Sequence, residues 1–174
     1  MKETINTLIS EEDIKNRVKA IAEQIDIDYH GKAVTLICIL TGSIMFTVDL
    51  ARELKTPVEF DFMSVSSYGD ATTSSGHVKI NKDLSNSITG KDVILVEDII
   101  DSGRTLHHLL PFLNSKNPNS LKLCTLLDKP EKREYNVDVD YVGFEIPDYF
   151  IVGYGLDYAQ KYRNLPYIGI LNLE

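Results

Sequence analysis

An α/β fold is predicted for this chain of 174 residues, with a largely parallel, twisted sheet flanked by helices. Three observations predict it. Continuous apolar runs bounded by turn residues recur along the chain, as expected of strands buried on both faces. Segments with helical spacing lie between them, so strand and helix alternate. One such run, Val93–Val96, leads straight into a small-residue turn and a helix, and that is where sheets of this kind bind ligands.

The elements follow in order. Ser10 and Asp13 form a loose capping box, and Ile14, Val18, Ile21 and Ile25 recur behind them on one helical face. "AVTLICIL" (Ala33–Leu40) is rich in β-branched residues and flanked by glycines, which predicts a buried strand. After "TGS", the stretch "IMFTVDLAREL" predicts a helix that stops before Pro57. Val58–Val65 reads as the next strand. The following "SSYGDATTSSGH" has little to pack, which suggests a functional loop, and "HVKI" returns as a short strand. Then come the strand Val93–Val96, a turn, a helix from about Arg104 to Asn114, and a buried strand at Leu121–Asp128. Beyond it "YVGFEI", "FIVGY" and "YIGIL" alternate with polar turns, suggesting a small lobe over one end of the sheet. One domain spanning 1–174 is expected, its hood formed mainly by about 129–174 together with the N-terminal segment.

Composition narrows the function. A net charge of -8 argues against a surface built to collect nucleic-acid phosphates, while leaving room for a small basic pocket. No apolar run is long enough to span a bilayer, and "MKETINTLISEEDIK" is too polar for a signal peptide. Cys38 and Cys124 both sit in apolar runs and read as buried thiols without metal-site spacing. A cytoplasmic protein without nucleic-acid or membrane partners is expected.

The chemistry concentrates in "VILVEDIIDSGRTL" (Val93–Leu106). Charges are costly at the end of a buried strand, yet Glu97, Asp98 and Asp101 arrive there together. A helix N-terminus favours acids by itself, which accounts for one or two of the three. The small residues behind them suggest more. Backbone N–H groups of "DSGRT" can converge on a phosphate at the helix start, with Ser102 and Thr105 adding hydroxyls and Gly103 allowing close approach. Glu97 and Asp98 suit two vicinal hydroxyls, as on a ribose, and Asp101 can face a reacting centre as proton acceptor. Neither a Walker loop nor a Rossmann fingerprint occurs.

The same stretch resembles the phosphoribosyl pyrophosphate signature of type I phosphoribosyltransferases, and its "EDIIDSG" core resembles that of the hypoxanthine-guanine members. The resemblance runs from Leu40 to Arg163. It implies that Ser102, Gly103, Arg104 and Thr105 hold the 5'-phosphate. "LTGS" is similar to the family's pyrophosphate loop, which implies diphosphate contacts from Leu40, Thr41 and Gly42 and a cis peptide between Leu40 and Thr41. Many relatives carry Lys or Arg where this chain has Thr41, so a charged contact is not implied there. Ser67 and Tyr68 match the Ser-Tyr pair of a catalytic flap that shuts water out. "VGFEIPDYFIVGYGLDY" resembles the purine-binding hood. By that resemblance Lys129 donates to the exocyclic oxygen of a 6-oxopurine, Phe150 stacks on the ring, and the Ile151 backbone reads its edge. Asp157 corresponds to a metal-binding acid and Arg163 to an arginine facing the diphosphate.

The implied activity is transfer of a 5-phosphoribosyl group from phosphoribosyl pyrophosphate to N9 of hypoxanthine, and of guanine also. Mg²⁺ would bridge diphosphate and ribose hydroxyls beside Glu97 and Asp98, with Asp157 holding a second ion, and Asp101 would take the proton from purine N7. A homodimer or homotetramer is implied. Two alternatives stay open: a xanthine-preferring enzyme on the same scaffold, and a non-catalytic nucleotide-binding regulator. Orotate would want a basic pocket and fits the aromatic hood less well.

Overall fold

A computed structural model describes residues 3–67 and 78–173. Strand β1 (Glu3–Ile9) precedes helix α1 (Glu11–Tyr29), and β2 (Val34–Leu40) precedes α2 (Ile44–Glu53). Then follow β3 (Val58–Ser67), β4 (Val78–Lys82), β5 (Asp92–Ile100), α3 (Arg104–Asn114) and β6 (Ser120–Asp128). A 3-10 turn (Pro130–Lys132) leads to β7 (Tyr141–Glu145), β8 (Ile151–Val152) and β9 (Ile168–Leu173).

Six strands form the main sheet in the order β4-β3-β2-β5-β6-β7. All its neighbours are parallel except β4, which runs antiparallel to β3. Successive residues of β2 and β5 point to opposite faces. Leu36, Ile94 and Val96 join α1 and α2 on one side, while Ile37, Val93 and Leu95 join α3 on the other. Both faces are therefore covered, which is why these strands read as unbroken apolar runs. A Leu95→Ala change in this fully buried layer should cost about 2–5 kcal/mol.

The start of α1 is built as its sequence suggests. Ser10 is the N-cap, and its Oγ accepts from Asp13 N at 3.1 Å. The reciprocal half of the box differs: the Asp13 carboxylate takes the Ser10 hydroxyl at 2.5 Å, its side chain being one methylene shorter than the usual Glu. Cys38 and Cys124 are free and buried.

Three differences from the sequence reading stand out. Glu3–Ile9 is a strand, paired antiparallel with β9 in a second sheet of order β1-β9-β8. "YVGFE" is β7 and extends the main sheet beside β6, so it is not part of the smaller sheet. Finally, β5 does not stop at Val96. Its pairing with β2 ends at Cys38↔Val96, but pairing with β6 continues to Ile100↔Asp128. Glu97 and Asp98 therefore belong to a strand with one edge paired and, among the described residues, the other open, while Asp101 lies just beyond its end.

Candidate active site

The open edge of β5 faces the end of β2. Between them the chain order reverses direction across the sheet, since β2 feeds α2 and then β3 on one side while β5 feeds α3 and then β6 on the other. Such a switch point leaves a crevice beyond the strand ends. A cavity of about 560 Å³ occupies it, lined by Leu40–Gly42, by Glu97–Leu106, and by Asp157 and Arg163 from the connection between β8 and β9.

The bond between Leu40 and Thr41 is cis, as the resemblance implied. At Gly42 a side chain is excluded: a Cβ would lie 1.6 Å from Asp98 Oδ2. The loop after β2 thus lies directly against the carboxylate pair of β5. Gly103 sits at φ 78, in the left-handed region, and a Cβ there would come within 2.7 Å of the Tyr135 carbonyl. It is the N-cap of α3 and supplies no capping side chain; the Arg104 N–H donates to Ser102 Oγ at 3.3 Å, while those of Thr105 and Leu106 have no partner among the described residues and remain available to an anion.

Glu97 and Asp98 are poorly satisfied by the protein. Glu97 Oε2 is buried without a hydrogen-bond partner among the described residues, while Asp98 Oδ1 accepts only from Ile99 N, at 2.7 Å. Burial, followed by the neighbouring Asp98 charge, pushes the Glu97 carboxyl well above its ordinary range. Burial also raises Asp98, with the neighbouring Glu97 carboxyl, the Ile99 N–H and, least, Arg163 pulling the other way. A cation or sugar hydroxyls in the crevice would relieve both.

Those two residues fit a magnesium ion. No three His, Cys, Asp or Glu side chains converge as a cage among the described residues, and magnesium held through one or two carboxylates and substrate oxygens needs none. Asp157 is more committed, since its Oδ1 meets Arg163 Nη2 at 2.7 Å and its Oδ2 accepts from Gln160 N at 2.8 Å. Arg163 also donates to the Gly155 carbonyl at 2.7 Å, which fixes its guanidinium at the cavity wall.

None of the residues expected to bind the base lines this cavity, and of them Lys129 is joined to it through Asp101. Lys129 is no solvated turn lysine: its side chain is only 8% exposed and its Nζ lies 3.2 Å from Asp101 Oδ1. Phe150 is no core aromatic either, being 55% exposed and edge-on to Tyr158. Ile151 is buried in β8 opposite Ile170. Ser67 ends β3, but its side chain and Tyr68 lie outside the described residues. Arg104 leans toward Glu134 at 3.1 Å and over the Tyr135 ring. Sequence reasoning missed Asp148 and the Tyr149 carbonyl, which also hold Lys129, at 3.2 and 2.8 Å. No local pattern points to them, because the contact spans 19 and 20 residues.

A parallel sheet whose central strands deliver a backbone loop and a carboxylate pair to one crevice defines a type I phosphoribosyltransferase fold. The chain belongs to the phosphoribosyl transferase domain family, whose model it matches over residues 6–159. It is 53% identical over 171 residues to the hypoxanthine phosphoribosyltransferase of Buchnera aphidicola subsp. Schizaphis graminum, covering 97% of each chain. It is 52% identical to the Escherichia coli K12 enzyme of the same name, covering 97% of this chain and 96% of that one. Among solved structures, a hypoxanthine-guanine phosphoribosyltransferase from Bacillus anthracis superposes with a TM-score of 0.92 at 50% identity, covering 99% of this chain and 100% of that one.

Proposed function

We infer that this chain is a purine-salvage enzyme that transfers the 5-phosphoribosyl group of phosphoribosyl pyrophosphate to N9 of hypoxanthine or guanine. The products are the nucleoside monophosphate and pyrophosphate. The observation that carries the reading is the crevice itself: Leu40–Gly42, Glu97–Thr105, Asp157 and Arg163 share one cavity, with Lys129 joined to it through Asp101.

The 5'-phosphate sits on the N–H groups that open α3, with Ser102, Gly103, Arg104 and Thr105 around it. Glu97 and Asp98 accept the ribose hydroxyls, and the backbone of Leu40, Thr41 and Gly42 meets the diphosphate with Arg163. Bound magnesium would neutralise charge on the diphosphate as it leaves, near Glu97, Asp98 and Asp157. Asp101 accepts the N7 proton as positive charge develops at ribose C1. Lys129 donates to the 6-oxygen, Phe150 covers the ring face, and the Ile151 backbone reads the edge. Ser67 and Tyr68 belong to the segment that closes over the diphosphate. No helix among the described residues is long and apolar enough to cross a membrane, and a cytoplasmic homodimer or homotetramer completes the reading.

The test is nucleotide formation from phosphoribosyl pyrophosphate with hypoxanthine, guanine and xanthine, each with and without Mg²⁺. Magnesium-dependent formation of the hypoxanthine product, faster than the xanthine product, is expected. Tight nucleotide binding with no turnover on any base would leave a regulator instead.

A further inference from the structure

We propose that Asp148, itself clamped by Lys132, is a positioning residue that aims the Lys129 ammonium at the base. The proposal rests on the function inferred above and deepens its purine site.

An ammonium has three N–H donors. At Lys129 two donate hydrogen bonds, to the Tyr149 carbonyl at 2.8 Å and to Asp148 Oδ1 at 3.2 Å, while Asp101 Oδ1 at 3.2 Å is an ion-pair partner without hydrogen-bond geometry. A base oxygen must therefore compete with Asp101 for the third donor. Asp101 lines the reaction cavity with a side chain 54% exposed, so water can replace the lysine there. Asp148 is different. Its second oxygen, Oδ2, is held by Lys132 Nζ at 2.7 Å, and Lys132 draws its carboxyl below its ordinary value. The Tyr149 carbonyl is fixed backbone on the same segment. Two anchors therefore belong to the lobe, and one movable partner belongs to the reacting turn.

This geometry makes Lys129 a two-position donor. Without a base it pairs with Asp101, and with a base it turns that third donor to the 6-oxygen while both anchors stay in place. Release of Lys129 then leaves Asp101 free to take the N7 proton as the oxygen is captured. Without Asp148 the ammonium keeps a single anchor and collapses onto Asp101, since a buried charge seeks its nearest opposite partner. Base capture then suffers more than diphosphate capture.

The test uses the full chain with steady-state kinetics on hypoxanthine and phosphoribosyl pyrophosphate. Asp148→Asn should raise KM for hypoxanthine at least tenfold, with KM for phosphoribosyl pyrophosphate changed less than twofold, and Asp148→Glu should recover part of the loss. Lys132→Met, at a half-exposed position that should not disturb folding, should raise the hypoxanthine KM about threefold. An unchanged hypoxanthine KM in both Asp148→Asn and Lys132→Met overturns the proposal. So does a rise in both KM values together. If Asp148→Asn does not fold, Lys132→Met alone decides. Failure of the wild-type chain to make nucleotide would instead strike the inferred function.

Discussion

Two acidic regions of the main sheet answer opposite demands. Asp61, on β3, is 2% exposed and accepts backbone N–H groups from Phe62, Ser85 and Asn86 at 2.8–3.0 Å. Burial alone would raise its carboxyl, but those N–H groups more than offset it and hold it below the ordinary value. Glu97 and Asp98, two strands away on β5, are only partly buried, yet Glu97 Oε2 is enclosed without a partner among the described residues and both carboxyls are pushed upward. The protein satisfies the first carboxylate itself and leaves the second pair for something that arrives. Buried acid alone is therefore no mark of a site. Buried acid without its hydrogen bonds, opening on a crevice, is.

Substitution in each region should break different properties. The largest effect is expected at the reacting turn: Asp101→Asn should lower kcat by roughly 10²–10³-fold while the melting temperature hardly moves. A kcat near wild type would remove Asp101 from proton transfer. Next comes Asp61→Asn, which leaves at least one buried N–H short of a partner and should destabilise by roughly 2 kcal/mol in urea unfolding. Its kcat/KM should stay within about twofold of wild type, and a large kinetic defect would dissolve the contrast drawn here. A smaller effect of the opposite sign is expected at Glu97. Glu97→Gln replaces a carboxyl that the protein leaves unsupported and should stabilise the ligand-free protein by about 1 kcal/mol at pH 8. The same change should weaken phosphoribosyl pyrophosphate binding about tenfold in titration calorimetry.

The smallest expected effect is on the pH dependence of stability, and its two halves have opposite signs. The folded-state pKa of Glu97 is raised, so its contribution is full below the unfolded value near 4.5 and is lost as pH rises through the folded one. Asp61 is held low, so its contribution is present above the unfolded value near 3.8 and is lost as pH falls through the folded one. In melts across pH 3–9, Glu97→Gln should flatten the alkaline side and Asp61→Asn the acid side. The reverse pattern would show that Asp61, not Glu97, is the carboxyl left unsupported.

Much of this was legible without coordinates, for reasons that differ by residue. Ser10 caps α1 through a contact three residues away, and the Ile14–Val18–Ile21–Ile25 stripe needs only a helical period. The runs in β2 and β5 announce burial on both faces because no polar face interrupts them. "DSGRT" announces an anion loop because small residues opening a helix leave its N–H groups bare. Less could be said of β1, whose alternation is weak and whose partner, β9, lies at the far end of the chain. The end of β5 was misplaced for a related reason. Acidic residues look like a turn until β6 is seen pairing with them.

The order of residues along the chain determined the α/β class, the capped first helix and the anion loop that opens α3. Each depends on neighbours within a few positions, where covalent connection already limits the geometry. Only the tertiary structure decided that Gly42 presses on Asp98, that Arg163 meets Asp157 at the cavity wall, and that Lys129 is shared between Asp101 and Asp148. Asp101 and Asp148 stand on opposite sides of Lys129 along the chain, and packing is what brings their carboxylates to one ammonium.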